Sequence, residues 1–301
     1  MPVSHVSRRD LIRFALTGAA ALGGGAVLAG CSTTQPGTGA PTGAGAGGLT
    51  QRVEQGLPVR LAIGDEPPYT QLQPNGEVTG AAPDVAKAVL QRMGIENVEG
   101  VVTQYDTMIP GLDADRWDIV TAGLFMDERR CAAVLYSSPV IVSTESFATA
   151  PGNPLGITSI EAVKANPEIT IAALAGSYEL EAATNLGVPA DQVQTYPAAP
   201  EGIQALAAGR HDALLLPTLS LEALKEQRGG DFVITAPLDD IPTTGSGAAF
   251  HQSDAEFHGR YNTELAAFKE TDEFAAILDQ WGFSAEAARK ATTEELCAAG
   301  G

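Results

Sequence analysis

The chain is poor in the residues from which metal centres and nucleophilic constellations are built, with four histidines and three cysteines among 301 residues. His5, His211, His251 and His258 are scattered, and no CxxC or His-rich spacing accompanies Cys31, Cys131 or Cys297. No metal site and no Cys/His nucleophile can be assembled from that set, so no metal, no cofactor and no catalytic residue is expected. Positive charge is equally scarce: 18 Lys and Arg stand against 37 Asp and Glu, a formal net charge of −19. That balance argues against nucleic acid, which selects basic patches, and against electrostatic docking on anionic lipid. Solubility is a sufficient reason for the acidity, and a high-salt habitat is a sharper one. Long hydrophobic runs are also missing. The longest, Phe14 to Gly30, carries five glycines and falls short of the roughly 20 apolar residues of a spanning helix.

What occupies the N-terminus is an address. Ser7-Arg8-Arg9-Asp10-Leu11-Ile12-Arg13 resembles a twin-arginine export signal, and Leu28-Ala29-Gly30-Cys31 resembles a bacterial lipobox, whose cysteine receives a lipid. Residues 1–31 are expected to be a lipoprotein signal peptide ending at Cys31, the lipidated residue; a retained membrane helix is the alternative. Removing residues 1–30 takes away three arginines and one aspartate and moves the charge from −19 to −21. Residues 32–56, rich in Gly, Pro and Thr, are expected to form a flexible leash. The folded head is then tethered to a membrane on its periplasmic or extracellular side. In that setting the remaining pair, Cys131 and Cys297, is expected to be a disulfide pinning the C-terminal tail; two separate buried thiols are the alternative.

From Val59 onward short apolar runs alternate with amphipathic stretches. Val59–Gly64, Val98–Val102 and Trp117–Ala122 read as strands, with helices over Pro83–Met93 and Tyr105–Leu112. The grammar restarts with strands at Thr170–Ala175, Val193–Tyr196 and Asp212–Leu216, and helices at Glu179–Asn185, Glu201–Ala208 and Leu219–Gln227. Strands separated by helices imply βαβ units and a parallel sheet covered on both faces. The expectation is an α/β fold of two lobes, 57–147 and 148–240, with 241–301 returning to the first. The hinge crossings are expected through Ser146–Pro154 and Thr244–Phe250, and clefts between lobes are where small ligands are held.

The segments Gly64-Asp-Glu-Pro-Pro-Tyr69, Asn75-Gly-Glu-Val-Thr-Gly80, Asp84-Val-Ala-Lys-Ala88, Ile109-Pro-Gly-Leu112, Trp117-Asp-Ile119 and Asp127-Glu-Arg-Arg130 together resemble family 3 extracellular solute-binding proteins of ABC importers. Within that family the stretch Arg92-Met-Gly-Ile-Glu-Asn-Val-Glu-Gly100, Arg130-Cys131 and the tail Thr292-Thr-Glu-Glu-Leu-Cys297 are similar to ectoine/hydroxyectoine-binding proteins. The resemblance implies a two-lobed type II periplasmic-binding-protein fold, a monomer that captures a small zwitterionic solute, and delivery to an ABC permease and ATPase. It matches Arg130 to the arginine that grips a ligand carboxylate, a task suited to a planar guanidinium fork. It matches Glu66, Tyr69, Tyr105 and Phe125 to the acidic and aromatic residues that hold a cyclic amidinium, although Phe125 read by itself serves equally as core. Ser177, Tyr178 and Glu179 open a helix in the second lobe and complete the expected pocket, with helix capping and dipole complementation as alternative roles for Ser177 and Glu179.

One departure bears on the ligand. Amino-acid binders of the family commonly carry an aspartate shortly after the Asp-Ala of the second-lobe strand, where this chain reads Asp212-Ala-Leu-Leu-Leu-Pro-Thr218. A primary ammonium is thus expected to lack its usual partner, favouring ectoine or hydroxyectoine over a polar amino acid. A dehydratase built on this fold, with Glu179 as general acid, and a sensory domain are the competing classes; a single carboxylate without a partner base argues against the enzyme.

Overall fold

The computed structural model describes residues 48–299, which build two α/β lobes around separate five-stranded sheets. In the first lobe the Val59–Ile63 strand pairs in parallel with Val98–Val102 on one side and Ile119–Val120 on the other. Four of its five residues are buried, as a strand covered on both faces requires. The covering helices include Ala81–Arg92 and Tyr105–Asp113. The latter lies so close to Trp117 that a Cβ added to Gly111 would sit 1.8 Å from the indole, and the indole N–H donates to the Met108 carbonyl at 2.8 Å. That contact fixes the helix whose first residue is Tyr105.

The second lobe repeats the plan. Val193–Tyr196, Ile171–Leu174 and Ala213–Pro217 run parallel, flanked by the helices Tyr178–Asn185, Ala199–Ala207 and Thr218–Arg228. These elements fall within a few residues of their positions in the sequence reading. The sheets themselves are mixed. Glu145–Thr149 runs antiparallel to Ala213–Pro217 and to Val233–Ile234, and Ala249–Phe250 runs antiparallel to Ile119–Val120 and Leu135–Tyr136. A chain that crosses between lobes enters each sheet from the opposite end, and the antiparallel strands are where it enters.

This relocates the first crossing. Residues 146–149, read as part of an extended passage, lie in the fully buried Glu145–Thr149 strand of the second-lobe sheet, because Phe147 and its small neighbours pack on both faces. The crossing is Ile141–Ser143, which pairs antiparallel with Thr244–Ser246, so the two passages form a two-stranded ribbon. The second expected crossing holds over Thr244–Ser246, while Ala249–Phe250 already belongs to the first lobe. The return is completed by the helices Ala255–Lys269 and Asp272–Gln280.

Ordered structure starts earlier than the expected leash allows. Gly48–Glu54 is a helix with Leu49 buried; the Leu49 N–H donates to Asp254 at 3.2 Å, and Arg52 reaches Asp118 at 3.3 Å. With Leu49 and Arg52 seated on the first lobe, residues 48–54 belong to the folded head rather than to the expected leash. At the other terminus Cys131 and Cys297 are joined by a disulfide across 166 residues of chain, tying the Glu128–Ala133 helix to Thr293–Ala299. The anchored tail lays Leu296 against the hinge ribbon, its Cδ1 2.6 Å from where a Cβ on Gly245 would stand. The signal segment, Cys31 and the remainder of the leash lie outside the described residues.

Closing so long a loop restricts the unfolded chain. Cys297→Ser is expected to lower stability by about 2–5 kcal/mol; thermal melting with and without reductant checks it, since reductant should lower the wild-type midpoint and leave the variant unmoved.

Candidate functional site

All eight ligand-site residues expected from the sequence, Glu66, Tyr69, Tyr105, Phe125, Arg130, Ser177, Tyr178 and Glu179, line one cavity between the lobes, together with Gly123 and Pro217. The first five come from the first lobe and the last three open the Tyr178–Asn185 helix of the second. The walls have closed to leave about 10 Å³, so a ring-sized solute occupies the space only by holding the walls apart.

Arg130 is the one basic side chain among the described residues that line it. Asp127 caps the Glu128–Ala133 helix by accepting the Arg130 N–H at 2.7 Å and faces the guanidinium Nε at 3.1 Å. Nη1 donates to the Phe125 carbonyl at 2.7 Å and Nη2 to the Gly176 carbonyl at 2.9 Å. The fork is therefore held rigid, at 2% exposure, by groups from both lobes. Nη2 also lies 3.9 Å from Glu181 Oε2, so the fork is already set among acceptors, and a planar guanidinium of this kind can take a carboxylate bidentately. Arg129, by contrast, lies on the outside and pairs with Glu181.

Four aromatic rings, Tyr69, Tyr105, Phe125 and Tyr178, form the apolar part. Phe125 meets Tyr69 and Tyr178 edge-on, with centroids 5.7 and 6.0 Å apart. The Tyr69 hydroxyl bonds to Ser143 of the hinge ribbon, and Tyr105 donates to the Ala122 carbonyl at 3.0 Å. The Tyr69 and Tyr105 hydroxyls are thus satisfied by protein, leaving ring surface for the cavity.

Glu66 and Glu179 face the cavity from opposite lobes, 6% and 3% exposed. Burial, with Glu179 adding repulsion, pushes Glu66 up to about 7 against the opposing bond from Ser220. The Ser220 hydroxyl donates across the cleft to Glu66 Oε1 at 2.6 Å. Ser177 accepts the Leu180 N–H at 3.3 Å, so it caps the helix in addition to lining the site.

Two contributors escaped the sequence reading. Ser220 is a hydroxyl in an ordinary amphipathic helix, with no local signal. Glu145 is an acid heading an otherwise small and apolar strand, a signal that was present; it is 1% exposed and lies within hydrogen-bonding reach of Glu179. The argument from the missing aspartate also needs correction. Asp212 turns away, accepting the Thr170 N–H at 2.8 Å, and Pro217 lines the cavity instead. Yet Glu66 and Glu179 supply carboxylates there, so an ammonium would not be left without a partner.

Two similar lobes on a double-stranded hinge, closing over an internal polar cavity, define a bilobal solute-binding protein. The chain belongs to the bacterial extracellular solute-binding proteins, family 3, whose model matches residues 59–285. It is the solute-capturing component of an ABC transporter and works outside the cytoplasm, as the family does. The chain is similar to a probable amino-acid ABC transporter periplasmic-binding protein, y4tE, of Sinorhizobium fredii, at 34% identity over 79% of this chain and 82% of the relative. Among solved structures it is similar to EhuB in complex with hydroxyectoine, with a TM-score of 0.80 and 42% identity over 84% of this chain and 99% of that one. An ancestral amino-acid-binding protein described as a precursor of cyclohexadienyl dehydratase shares the fold at TM-score 0.68 and 24% identity, covering 77% of this chain and 98% of that one. Among the described residues no helix is long and apolar enough to cross a membrane, and no cluster of metal-ligating side chains is present.

Gly176 sits where the lobes meet: its φ is +71°, and an added Cβ would stand 2.6 Å from the Asp106 backbone. Gly176→Ala is expected to hold the cleft open, giving a larger radius of gyration by small-angle scattering than the wild type at saturating solute. The second expectation concerns pH. Glu66 binds its proton more tightly folded than unfolded, so its stabilisation is complete below the ordinary value near 4.5 and is lost as pH rises through about 7. On the order of 3 kcal/mol is at stake, and denaturant titrations of Glu66→Gln without solute should show that part of the pH dependence gone.

Proposed function

We propose that the protein is a lipid-anchored receptor, tethered through Cys31, that captures ectoine or hydroxyectoine as a monomer for uptake through its ABC permease and ATPase, a role in osmoprotection. The observation that carries this reading is that Glu66 and Glu179, from the two lobes, line one aromatic-walled cavity together with Arg130. Ectoine joins a carboxylate to a ring amidinium. The carboxylate suits the guanidinium fork of Arg130, and the delocalised cation suits acids on two sides with ring faces between. The structural similarity to EhuB in complex with hydroxyectoine supports the same ligand class. Nothing in this role breaks a bond, and Glu179 acts as a binding carboxylate.

A polar amino acid is the second reading, supported by the y4tE relative and by the same two carboxylates, which also suit an α-ammonium.

Thermal-shift titration of the head against ectoine, hydroxyectoine, arginine, glutamine and prephenate separates the readings. A solute at a hundred times its dissociation constant stabilises the native state by ~2.7 kcal/mol. Stabilisation by ectoine or hydroxyectoine alone is expected; stabilisation by an amino acid alone would favour the second reading. Arg130→Lys keeps the charge and loses the fork, and calorimetry should find binding weakened by about 1.5–3 kcal/mol.

A further inference from the structure

The cavity accounts for Glu66 and Glu179 but not for the acid behind them. Glu145 begins the Glu145–Thr149 strand immediately after the hinge ribbon, in register with Pro217, which lines the cavity. Its Oε1 accepts the Thr244 hydroxyl at 3.1 Å, from the other hinge passage. Its Oε2 is buried with no donor, and the Glu179 side chain lies within reach of the Glu145 carboxyl group. Two buried carboxyl groups in hydrogen-bonding reach, without a donor between them, hold together when one proton lies on the line joining them.

Among the described residues no cation pairs with Glu145 to take the place of that proton. The groups that face Glu145 are Glu179 and Glu66, with the Tyr69 and Tyr178 hydroxyls, both of which feel its charge, and Thr244. Arg130, the cation of the same cavity, is engaged by Asp127 and two carbonyls. Burial, followed by Glu179, raises Glu145 well above the ordinary carboxylate range.

We propose that Glu145 is a specificity-determining residue that shares a single proton with Glu179 in the ligand-free protein, and that a solute with a cationic N–H group releases this proton to solvent on binding. The cation takes over the role of the shared proton: it sits against Glu179 and favours the ionised pair. The O–H bond of the carboxyl group breaks and its proton passes to water or buffer. A neutral or anionic solute leaves the proton in place and gains nothing from the exchange, so Glu145 selects for positive charge at the acidic end of the cavity. Its contact with Thr244 places the same group on the hinge. This deepens the proposed function, on which the solute arm below rests.

Glu145→Gln is the test, because its amide N–H donates to Glu179 as the proton does but does not titrate. In the full chain without solute, wild-type thermal stability is expected to fall as pH rises from about 5 to about 8, more steeply than that of Glu145→Gln. Equal slopes would overturn the shared proton. If Glu145→Gln fails to fold, carbon-13 NMR of glutamate-labelled wild type decides: three carboxyl carbons, from Glu66, Glu145 and Glu181, should titrate above the ordinary glutamate value of about 4.3, and only two would overturn the proposal. With ectoine as the probe, calorimetry in buffers of different ionisation enthalpy should find about one fewer proton released by the variant. The variant's affinity should also rise less steeply with pH, by about a factor of ten per unit. The same release from both proteins would overturn the exchange. No heat with ectoine would sink the ligand reading alone, since the solute-free slopes judge Glu145 independently.

Discussion

The guanidinium of Arg130 is the constraint around which the site is organised. It is buried, and its partners come from both lobes: Asp127 and Phe125 from the first and Gly176 from the second. A buried charge must be paired or bonded in nearly every direction, so the closed arrangement of the lobes and the orientation of the fork stabilise each other. Gly176 permits this by having no side chain where it meets Asp106. A solute carboxylate would complete the remaining valences of a group already held in place, so little ordering is left for binding to impose.

Around the same cavity the protein carries an excess of acid. Glu66, Glu145 and Glu179 are all buried within the same region, and the bonds available to them come from the hydroxyls of Ser220 and Thr244 rather than from a second base. Buried like charges raise one another's affinity for protons, so the ligand-free site holds protons where a cationic solute would sit. The acidity of the whole chain, useful for solubility, and the acidity of the cavity are separate properties: one is spread over exposed side chains, the other is concentrated where water is excluded.

Much of the fold was legible. The strands and helices of each βαβ unit announce themselves because strands covered on both faces need continuous apolar runs, and Val59–Ile63 and Ala213–Pro217 have them. The hinge was misplaced because an extended crossing and a buried antiparallel strand have the same local signature when residues are small; Ser146-Phe147-Ala148-Thr149 reads as either, and only its pairing with Ala213–Pro217 decides. Gly48–Glu54 was invisible because its helix depends on Leu49 and Arg52 finding partners some 60 to 200 residues away.

What the sequence by itself determined is the inventory and the family: which acids, rings and arginine are available, in an order and spacing that resemble family 3 binders. Tertiary structure decided their meeting. Arg130 and Glu179 are far apart in the chain and acquire a common cavity only because two lobes close on one ribbon. Glu145 and Ser220 join the site through that closure alone, since proximity across a cleft leaves no periodic mark on a linear sequence.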